Sequence, residues 1–252
     1  MLKTRVIPTL LFKRSGLVKG IGFDSWRYVD TVLPMIKVYN MREVDELILV
    51  DLEATEEDRD PDYDSITEFS SECFVPFCVG GGIRNIEQVK RLLRSGADKV
   101  VINSAAYLDP DFVEEVSSSF GSQCVVVSID YRTIGKDKIC YSHCGKKNEN
   151  IDVVKWASIM EKKGAGELLI TSIDRDGTMK GYDIELVREV VDIVSVPVIA
   201  SGGAGGYDDL CAAVLEGGAS AVAAASIFHF TELTPKEAKQ YMYDRGIHTR
   251  IS

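Results

Sequence analysis

The chain has 252 residues, close to the length typical of one closed α/β barrel, with 45% hydrophobic and 27% charged residues, as in ordinary globular proteins. Its formal net charge of −10 argues against nucleic acid and against an anionic membrane as partners, because both attract a basic face. An anionic ligand could still bind where a lysine, a glycine loop or a helix N-terminus concentrates positive potential.

Short β-branched segments alternate with longer amphipathic segments along the chain, which predicts repeated βα units and parallel strands. Eight strands are predicted, in chain order, at Arg5–Leu10, Glu46–Asp51, Val75–Val79, Lys99–Ile102, Cys124–Ile129, Glu167–Ser172, Pro197–Ala200 and Ala221–Ala224. Helices are predicted between them at Ile86–Ser95, Asp111–Phe120, Val153–Lys163, Ile184–Val194 and Tyr207–Glu216. We therefore predict an α/β fold, a (β/α)8 TIM barrel formed by residues 1–252 as a single domain, with Tyr241–Ser252 as a frayed tail. An open doubly wound sheet is the alternative, but it usually carries one dominant glycine loop.

The two halves of the chain repeat at a nearly constant offset of about 121 residues. Asp45–Asp51 resembles Gly166–Ser172, and Val79–Gly82 resembles Ala200–Gly203. In a third pair, Val101–Ala106 resembles Ala223–Phe228, and both segments contain a serine, Ser104 and Ser226. An internal two-fold repeat of half-barrels predicts two copies of whatever the repeated loops bind.

The repeated glycine segments Gly80–Arg84 and Gly202–Gly206 each follow an apolar strand and open a helix. Glycine lets the backbone approach an anion, and a helix N-terminus offers unpaired N–H groups. The predicted phosphate-binding residues are Gly81, Gly82, Asn103 and Ser104 in one half, and Gly202, Gly203, Ala225 and Ser226 in the other. Tight turns that require glycine are the alternative, but they do not account for the repeated serine. Two opposed cradles predict an elongated ligand with two phosphates.

The segment Leu169–Thr178, followed by Gly181-Tyr182-Asp183, resembles the sixth-strand motif of the HisF family, the cyclase subunits of imidazole glycerol phosphate synthase. Val79–Asn85, Ala200–Gly205 and Ala224–Phe230 resemble the same family, and the resemblance covers essentially the whole chain and separates it from the sister isomerase, HisA. It implies that ammonia from a HisH-like glutaminase crosses the barrel to a bisphosphorylated ribulosyl-aminoimidazole carboxamide. Lys19, Thr171, Asp176 and Gly177 are the implied substrate contacts, although a solvated surface lysine is the alternative for Lys19.

In the HisF family two aspartates, at the ends of the first and fifth strands, carry out the acid–base chemistry. Asp130 matches the second aspartate, but the first strand reads Ile7-Pro8-Thr9-Leu10-Leu11 where the family pattern is Ile-Pro-Cys-Leu-Asp. Leu11 cannot shuttle a proton, so the usual cyclisation should lose a factor of about 10²–10⁴. Asp51 is a less suitable replacement, because the repeat pairs it with Ser172. A purely structural hydrogen-bonding role is the alternative for Asp130.

Four charged residues stand at the beginnings of predicted strands, namely Arg5, Glu46, Lys99 and Glu167. In a barrel they face the bottom, where two positive and two negative side chains can pair into a ring. They match the residues through which ammonia enters the barrel in the HisF family, and Asp98 matches a docking residue for the glutaminase. A charged plug that only stabilises the barrel is the alternative.

No apolar run approaches the ~20 residues of a membrane span, and the first strand leaves no room for a signal peptide. We therefore expect a cytoplasmic protein with free thiols. We expect no cofactor and no metal, because Cys140–Cys144, in a hairpin loop after the fifth strand, offers only three ligands and no second cluster follows.

Three hypotheses for function remain open. The first is a cyclase subunit of the imidazole glycerol phosphate synthase type with altered chemistry. The second is a HisF-like paralogue that supplies ammonia for acetamidino groups on surface-polysaccharide or flagellin sugars, with a sugar amidotransferase as a further partner. The third is a barrel that conducts ammonia to another protein without catalysis. Leu11 favours the second and third, whereas the two phosphate cradles count against a pure conduit.

Overall fold

The computed structural model describes residues 3–14 and 16–251. Its strands are β1 (Arg5–Lys13), β2 (Gly16–Ile21), β3 (Asp24–Asp30), β4 (Leu47–Asp51), β5 (Phe77–Gly80), β6 (Lys99–Ile102), β7 (Val125–Ile134), β8 (Asp137–Ser142), β9 (Lys147–Asp152), β10 (Glu167–Ser172), β11 (Val198–Ser201) and β12 (Ala221–Ala224). Its α-helices are α1 (Val32–Met41), α2 (Tyr63–Ser71), α3 (Ile86–Arg94), α4 (Ser104–Leu108), α5 (Asp111–Phe120), α6 (Val153–Lys162), α7 (Ile184–Ile193), α8 (Tyr207–Leu215), α9 (Ser226–His229) and α10 (Pro235–Asp244).

Eight of these strands form a closed parallel barrel. Their order around the barrel is β1, β4, β5, β6, β7, β10, β11 and β12, and the pairing of β12 with β1 closes the circle. The predicted (β/α)8 barrel is therefore confirmed, and the open sheet is excluded because both of its edges would have to be unpaired.

Two antiparallel hairpins extend the barrel strands at their C-terminal ends. β1 continues past its predicted end to pair with β2, and β2 pairs with β3. β7 likewise runs on to Ile134 to pair with β8, and β8 pairs with β9. Because both hairpins follow C-terminal strand ends, they lie on the face where barrels carry their active sites.

The helices pack outside the barrel, and five of the ten described begin at a side chain that caps the first turn. Asn85 accepts a hydrogen bond from the backbone of Gln88, and Asp152 does the same for Lys155. Caps of this kind each contribute about 1 kcal/mol to stability. Within the part of the chain that the structure describes, no helix is long and apolar enough to cross a membrane.

The C-terminal segment is an integral part of the barrel bottom, so the predicted frayed tail is wrong for the residues up to Thr249. After α10, Ile247 and Thr249 are buried, and the backbone N–H of Thr4 donates to His248 O at 2.7 Å. The Thr249 hydroxyl also donates to Lys239 O at 2.9 Å. These contacts are long-range in sequence, and the local pattern gives no sign of them. Ser252 lies outside the described residues.

The inward side chains stack in layers because the strands tilt and alternate residues share a face. The strand register gives these layers from the bottom upward: Glu46, Lys99, Glu167 and Ala221; Ile7, Cys78, Val126 and Ile199; Ile48, Val101, Leu169 and Ala223; Thr9, Gly80, Ser128 and Ser201; Val50 and Thr171, with Asn103 and Ala225 just beyond their strands; and finally Leu11 and Asp130. The interior thus changes from charged to apolar to polar between its two ends. That gradient positions both parts of the site.

Candidate active site

An open cavity occupies the C-terminal end of the barrel beneath the two hairpins. All of the residues predicted to act at this end line it, namely Lys19, Gly81, Gly82, Asn103, Ser104, Asp130, Thr171, Asp176, Gly177, Gly202, Gly203, Ala225 and Ser226. Residues far apart in sequence are thus brought together because parallel strands end at one face.

The two predicted phosphate cradles lie on opposite sides of this cavity and have similar backbones. Gly82 and Gly203 both have positive φ, and a Cβ on Gly203 would lie 2.2 Å from the Gly181 carbonyl oxygen. Asn103 and Ala225 adopt comparable φ and ψ, −126° and −84° against −129° and −63°, and each precedes a short helix. The glycines therefore satisfy a backbone requirement, and the repeated geometry agrees with the two-fold repeat of the sequence.

The cradles differ in what covers them. The hairpin tip between β8 and β9 crosses the cavity mouth, and the backbone N–H of His143 donates to Ser104 Oγ at 3.1 Å. Cys144 Sγ donates to Leu52 O at 3.3 Å, and Lys146 pairs with Glu56 at 2.5 Å. These contacts anchor the tip to the loop after β4. A phosphate bound at Ser104 would take the hydroxyl proton that Ser104 donates to Asn103 Oδ1 at 3.3 Å, while the same oxygen still accepts from the hairpin backbone.

Lys19 is buried beneath the β2–β3 hairpin, so the solvated-lysine alternative is wrong. Its side chain is 2% exposed, and Nζ lies 2.5 Å from an Asp176 carboxylate oxygen. The hairpin also docks on the loop after β10, where the backbone N–H of Gly22 donates to Asp176 O at 2.9 Å. Burial raises the pKa of Asp176, while the ammonium of Lys19 opposes that rise. Lys19 is thus a cation held at the cavity wall by an anion.

Asp130 and Leu11 form the uppermost inward layer. Asp130 accepts hydrogen bonds from Ser128 Oγ at 3.1 Å and from Asn103 Nδ2 at 3.2 Å. Burial raises its pKa to about 7, and nearby Asp176 adds to the rise, although the Ser128 hydrogen bond opposes it. Leu11 presents only methyl groups to the same space. The cavity therefore contains one carboxyl group poised for proton transfer near neutral pH, without a second one in its own layer.

Asp51 does not replace the missing carboxylate. Its side chain pairs with Arg59 at 2.7 Å and accepts hydrogen bonds from the backbone N–H groups of Glu53 and Ala54. Both oxygens are thus used to fix the turn after β4. Arg59 is likewise engaged by Asp51 and Glu57, which leaves it less available to a substrate.

At the opposite end of the barrel the four predicted gate residues form a closed ring of ion pairs. Arg5 contacts Glu46 at 2.5 Å and Glu167 at 3.0 Å, and Lys99 contacts both glutamates at 2.9 Å. Burial alone would lower the pKa of Lys99, but the charges of the two glutamates outweigh it and raise the pKa. The same balance raises the pKa of Arg5. Both cations of the ring therefore remain charged, and the ring separates the barrel interior from the bottom face.

Asp98 lies beside this ring on the bottom face. It is exposed, and its Oδ2 accepts a hydrogen bond from the Phe77 backbone at 2.8 Å. The loops that lead from the outer helices to the next strands also lie on this face, because each outer helix runs back to the start of the next strand. An exposed carboxylate here is available to a protein that covers the ring.

No group of three or more histidine, cysteine, aspartate or glutamate side chains that could hold a metal occurs among residues 3–14 and 16–251. Cys140 is buried, whereas Cys144 stands at the hairpin tip on the cavity wall. The two cysteines thus lie in different places, Cys140 in the core and Cys144 at the site.

The model of the histidine biosynthesis protein family matches residues 5–234. The chain belongs to this family. Its members are barrel enzymes of the HisA and HisF types, and this chain fits the HisF-like kind.

Three inward hydroxyl residues of the cavity went unpredicted, namely Thr9, Ser128 and Ser201. Ser128 interrupts the apolar run Val125–Ile129, and a lone polar residue on the inward face of a buried strand is a usable signal. The β2–β3 hairpin also went unpredicted, although Gly20-Ile21-Gly22 carries turn residues.

Proposed function

We propose that this chain is the HisF-like synthase subunit of a glutamine amidotransferase, which receives ammonia at its lower end and binds a bisphosphorylated ligand at its upper end. The observation that carries the proposal is the closed ring of Arg5, Glu46, Lys99 and Glu167 at the bottom of the barrel. This ring is the kind of entrance that excludes bulk water and opens by the movement of one side chain.

A structural plug is the alternative, and energetics count against it. Buried ion pairs often contribute no more to stability than apolar residues of similar volume, because desolvation offsets their attraction. An apolar layer of Ile7, Cys78, Val126 and Ile199 already lies directly above the ring. Stability alone therefore gives little reason for this ring, in which Glu46 is buried and the other three charges are partly buried, whereas a gate requires groups that can exchange partners.

The upper end supports a bisphosphorylated ligand through its two cradles and Lys19. The opposite sides of the cavity provide two backbone turns with positive φ, and the buried ammonium lies between them on the wall. Since the chain carries a net charge of −10, a locally positive cavity is required for such an anion. The reaction would use Asp130 as its acid or base.

Leu11 favours a second candidate for the acceptor. Without a carboxylate opposite Asp130, the imidazole-forming cyclisation lacks half of its acid–base machinery. A HisF-like paralogue that supplies ammonia for acetamidino groups on sugars, with a sugar amidotransferase as a further partner, needs the entrance and the channel but a different reaction at the top. The retained Asp130 indicates that proton transfer still occurs there, which argues against a passive conduit.

The test is whether this chain activates a HisH-type glutaminase. Glutamine hydrolysis by the glutaminase would be measured alone, with this chain, and with this chain plus the bisphosphorylated ribulosyl-aminoimidazole carboxamide. We expect this chain to stimulate hydrolysis and the bisphosphate to increase it further, because both ends of the barrel would then be engaged.

Asp98→Asn provides the matched variant, since an amide keeps an acceptor for the Phe77 backbone N–H but removes the charge. We expect it to raise the chain concentration required for half-maximal stimulation by about tenfold, while Glu87→Gln at the far end of the same βα unit has no effect. Absence of stimulation with glutaminases of both pathways would contradict the proposal.

A further inference from the structure

One inward layer of the barrel carries hydroxyl groups where the layers beneath it are apolar. Thr9, Ser128 and Ser201 lie at the same height, on alternate strands, and Gly80 completes the layer without a side chain. Directly below lie Ile48, Val101, Leu169 and Ala223, and below those a second apolar layer. The hydroxyls are therefore the first polar groups met by a molecule that rises from the ring.

The Thr9 hydroxyl is buried and has no hydrogen-bond partner among the described residues. Buried polar groups in native proteins are nearly always satisfied, so an orphaned hydroxyl indicates a small polar occupant. Its neighbour in the layer, Ser128, uses its hydroxyl proton for Asp130 at 3.1 Å. The lone pairs of Ser128 Oγ are thus still available to accept a hydrogen bond.

The position of the layer restricts what the occupant can be. A charged ion that came from the ring would have to cross two apolar layers without partners, which carries a large desolvation penalty. The inward side chains of those layers are apolar except for Cys78. An occupant that arrives from the ring must therefore be small and neutral, and it must donate hydrogen bonds to oxygen.

We propose that Thr9, Ser128 and Ser201 hold one molecule of neutral ammonia directly beneath Asp130. This inference rests on the proposed function, which brings ammonia through the ring. The three N–H groups donate to the three hydroxyl oxygens, and the nitrogen lone pair is left facing the cavity. Ammonia is thereby presented to an acceptor in the orientation that nucleophilic attack requires.

Thermal unfolding with ammonia as the probe tests the site without knowledge of the acceptor. The midpoint Tm would be recorded over a series of ammonium chloride concentrations at alkaline pH, with sodium chloride at equal ionic strength as the reference. The same series at neutral pH supplies ammonium with little ammonia. We expect a saturable rise at alkaline pH that reaches roughly 3 °C at ten times the Kd, and none at neutral pH.

A matched pair at Thr9 separates the hydroxyl from the rest of the side chain. Thr9→Val keeps the shape and removes the oxygen, so the rise in Tm should fall below about 0.5 °C. Thr9→Ser keeps the oxygen and should retain the rise. Ser201→Ala repeats the test from another strand of the layer and should also reduce it, which preserves the test if one variant folds poorly.

Three results would overturn the site: no saturable rise in the wild-type chain, which would leave an ordered water as the only occupant, an equal rise in Thr9→Val, or an equal rise at neutral pH. The proposed function fails separately, when the wild-type chain stimulates no glutaminase. Loss of the ammonia effect with intact glutaminase stimulation would remove the holding site and leave the amidotransferase proposal standing.

Discussion

The two ends of the barrel treat buried charge in opposite ways. At the lower end, Glu46 is 1% exposed and contacts two cations, and the charges of Glu46 and Glu167 raise the pKa values of Arg5 and Lys99, so both cations remain ionised. At the upper end, Asp130 is also buried, but neutral hydroxyl and amide groups surround it, and its pKa is raised to about 7. A raised pKa thus has opposite consequences at the two ends, because it favours the charged form of Arg5 and Lys99 but the neutral form of Asp130.

This difference helps to separate structural from functional residues. The lower charges are paired with one another, so they are no evidence of acid–base chemistry, and the case for a gate rests on the apolar layer that already lies above them. Asp130 is costly in its ionised form, and Leu11 does nothing to offset that cost. A group retained at a cost, inside a cavity and near its titration point, is a stronger indication of chemistry than a well-paired one.

The largest expected effect comes from making the upper end symmetrical. Leu11→Asp restores a carboxyl group in the same layer as Asp130, so ammonia-dependent cyclisation of the bisphosphorylated ribulosyl-aminoimidazole carboxamide should increase by about 10²–10⁴-fold. The readout is the rate of imidazole glycerol phosphate formation with ammonium salts, without glutaminase. Leu11→Asn is the control, since it adds polarity but no titrating group, and it should stay at the wild-type rate.

Full activity of the wild-type chain would show that Leu11 is compatible with the family reaction. An inactive Leu11→Asp that still binds the bisphosphate would show that the departure involves further residues. Growth of a strain that lacks the cyclase gives the same comparison in cells.

The lower end can be broken by removing one ring member. Glu46→Ala leaves the partly buried Arg5 and Lys99 with only Glu167 between them, so the free energy of unfolding should fall by about 3 kcal/mol, the lower end of the range for a broken buried pair. Lys37→Ala removes an exposed pair with Glu72 and should change stability by less than about 1 kcal/mol. Urea unfolding with linear extrapolation measures both, and a small loss for Glu46→Ala would mean that the ring rearranges without strain.

The sequence predicts the barrel strands well and the hairpins above the cavity poorly, for a physical reason. Lys99–Ile102, Glu167–Ser172 and Ala221–Ala224 match the observed strands, because parallel strands buried on both faces read as continuous apolar runs. The hairpin strand β3 has little such signal, since Asp24–Asp30 is largely exposed, and the hairpin docks against the loop after β10 through Gly22. Local pattern cannot reveal a stretch whose order comes from tertiary contact.

For the site, residue identity could be predicted but not partnership. The ring, the glycine turns and Asp130 all carry recognisable residue types at strand ends. In contrast, the pairing of Lys19 with Asp176 joins residues far apart in the chain, and the contact of His143 with Ser104 is made by backbone. The lack of a hydrogen-bond partner for the Thr9 hydroxyl among the described residues also depends on what faces it across the barrel. Such features follow from the closed geometry and require coordinates.

A third expected effect sharpens the contrast through pH. The pKa of Asp130 is about 7 in the folded chain and near 3.8 when unfolded, so the folded chain binds the extra proton between these values. Stability contributed by this group is therefore lost as pH rises from about 4 to about 7, by up to about 4 kcal/mol, and stays low above that. Asp130→Asn removes this loss.

Urea unfolding of both chains over that pH range measures the difference. The difference in free energy of unfolding in favour of Asp130→Asn should widen with pH and then level off, while the ammonia-dependent reaction in the cavity is abolished. Parallel stability curves would mean that Asp130 titrates normally, and the distinction drawn between the two ends would then lose its basis.

The smallest expected effect concerns the phosphate cradle at the end of β11. Gly203 has φ +121°, and a Cβ there would lie 2.2 Å from Gly181 O, so Gly203→Ala should cost about 1–3 kcal/mol and weaken phosphate binding. Gly206→Ala is the matched control, because a Cβ on Gly206 meets nothing within 4 Å and its φ is −170°. It should change stability by less than about 1 kcal/mol. Isothermal titration with inorganic phosphate measures the binding. Equal affinities in the two variants would mean that this glycine turn serves the fold alone. The turn would then be a structural feature of the upper end, as a charged plug would be of the lower end.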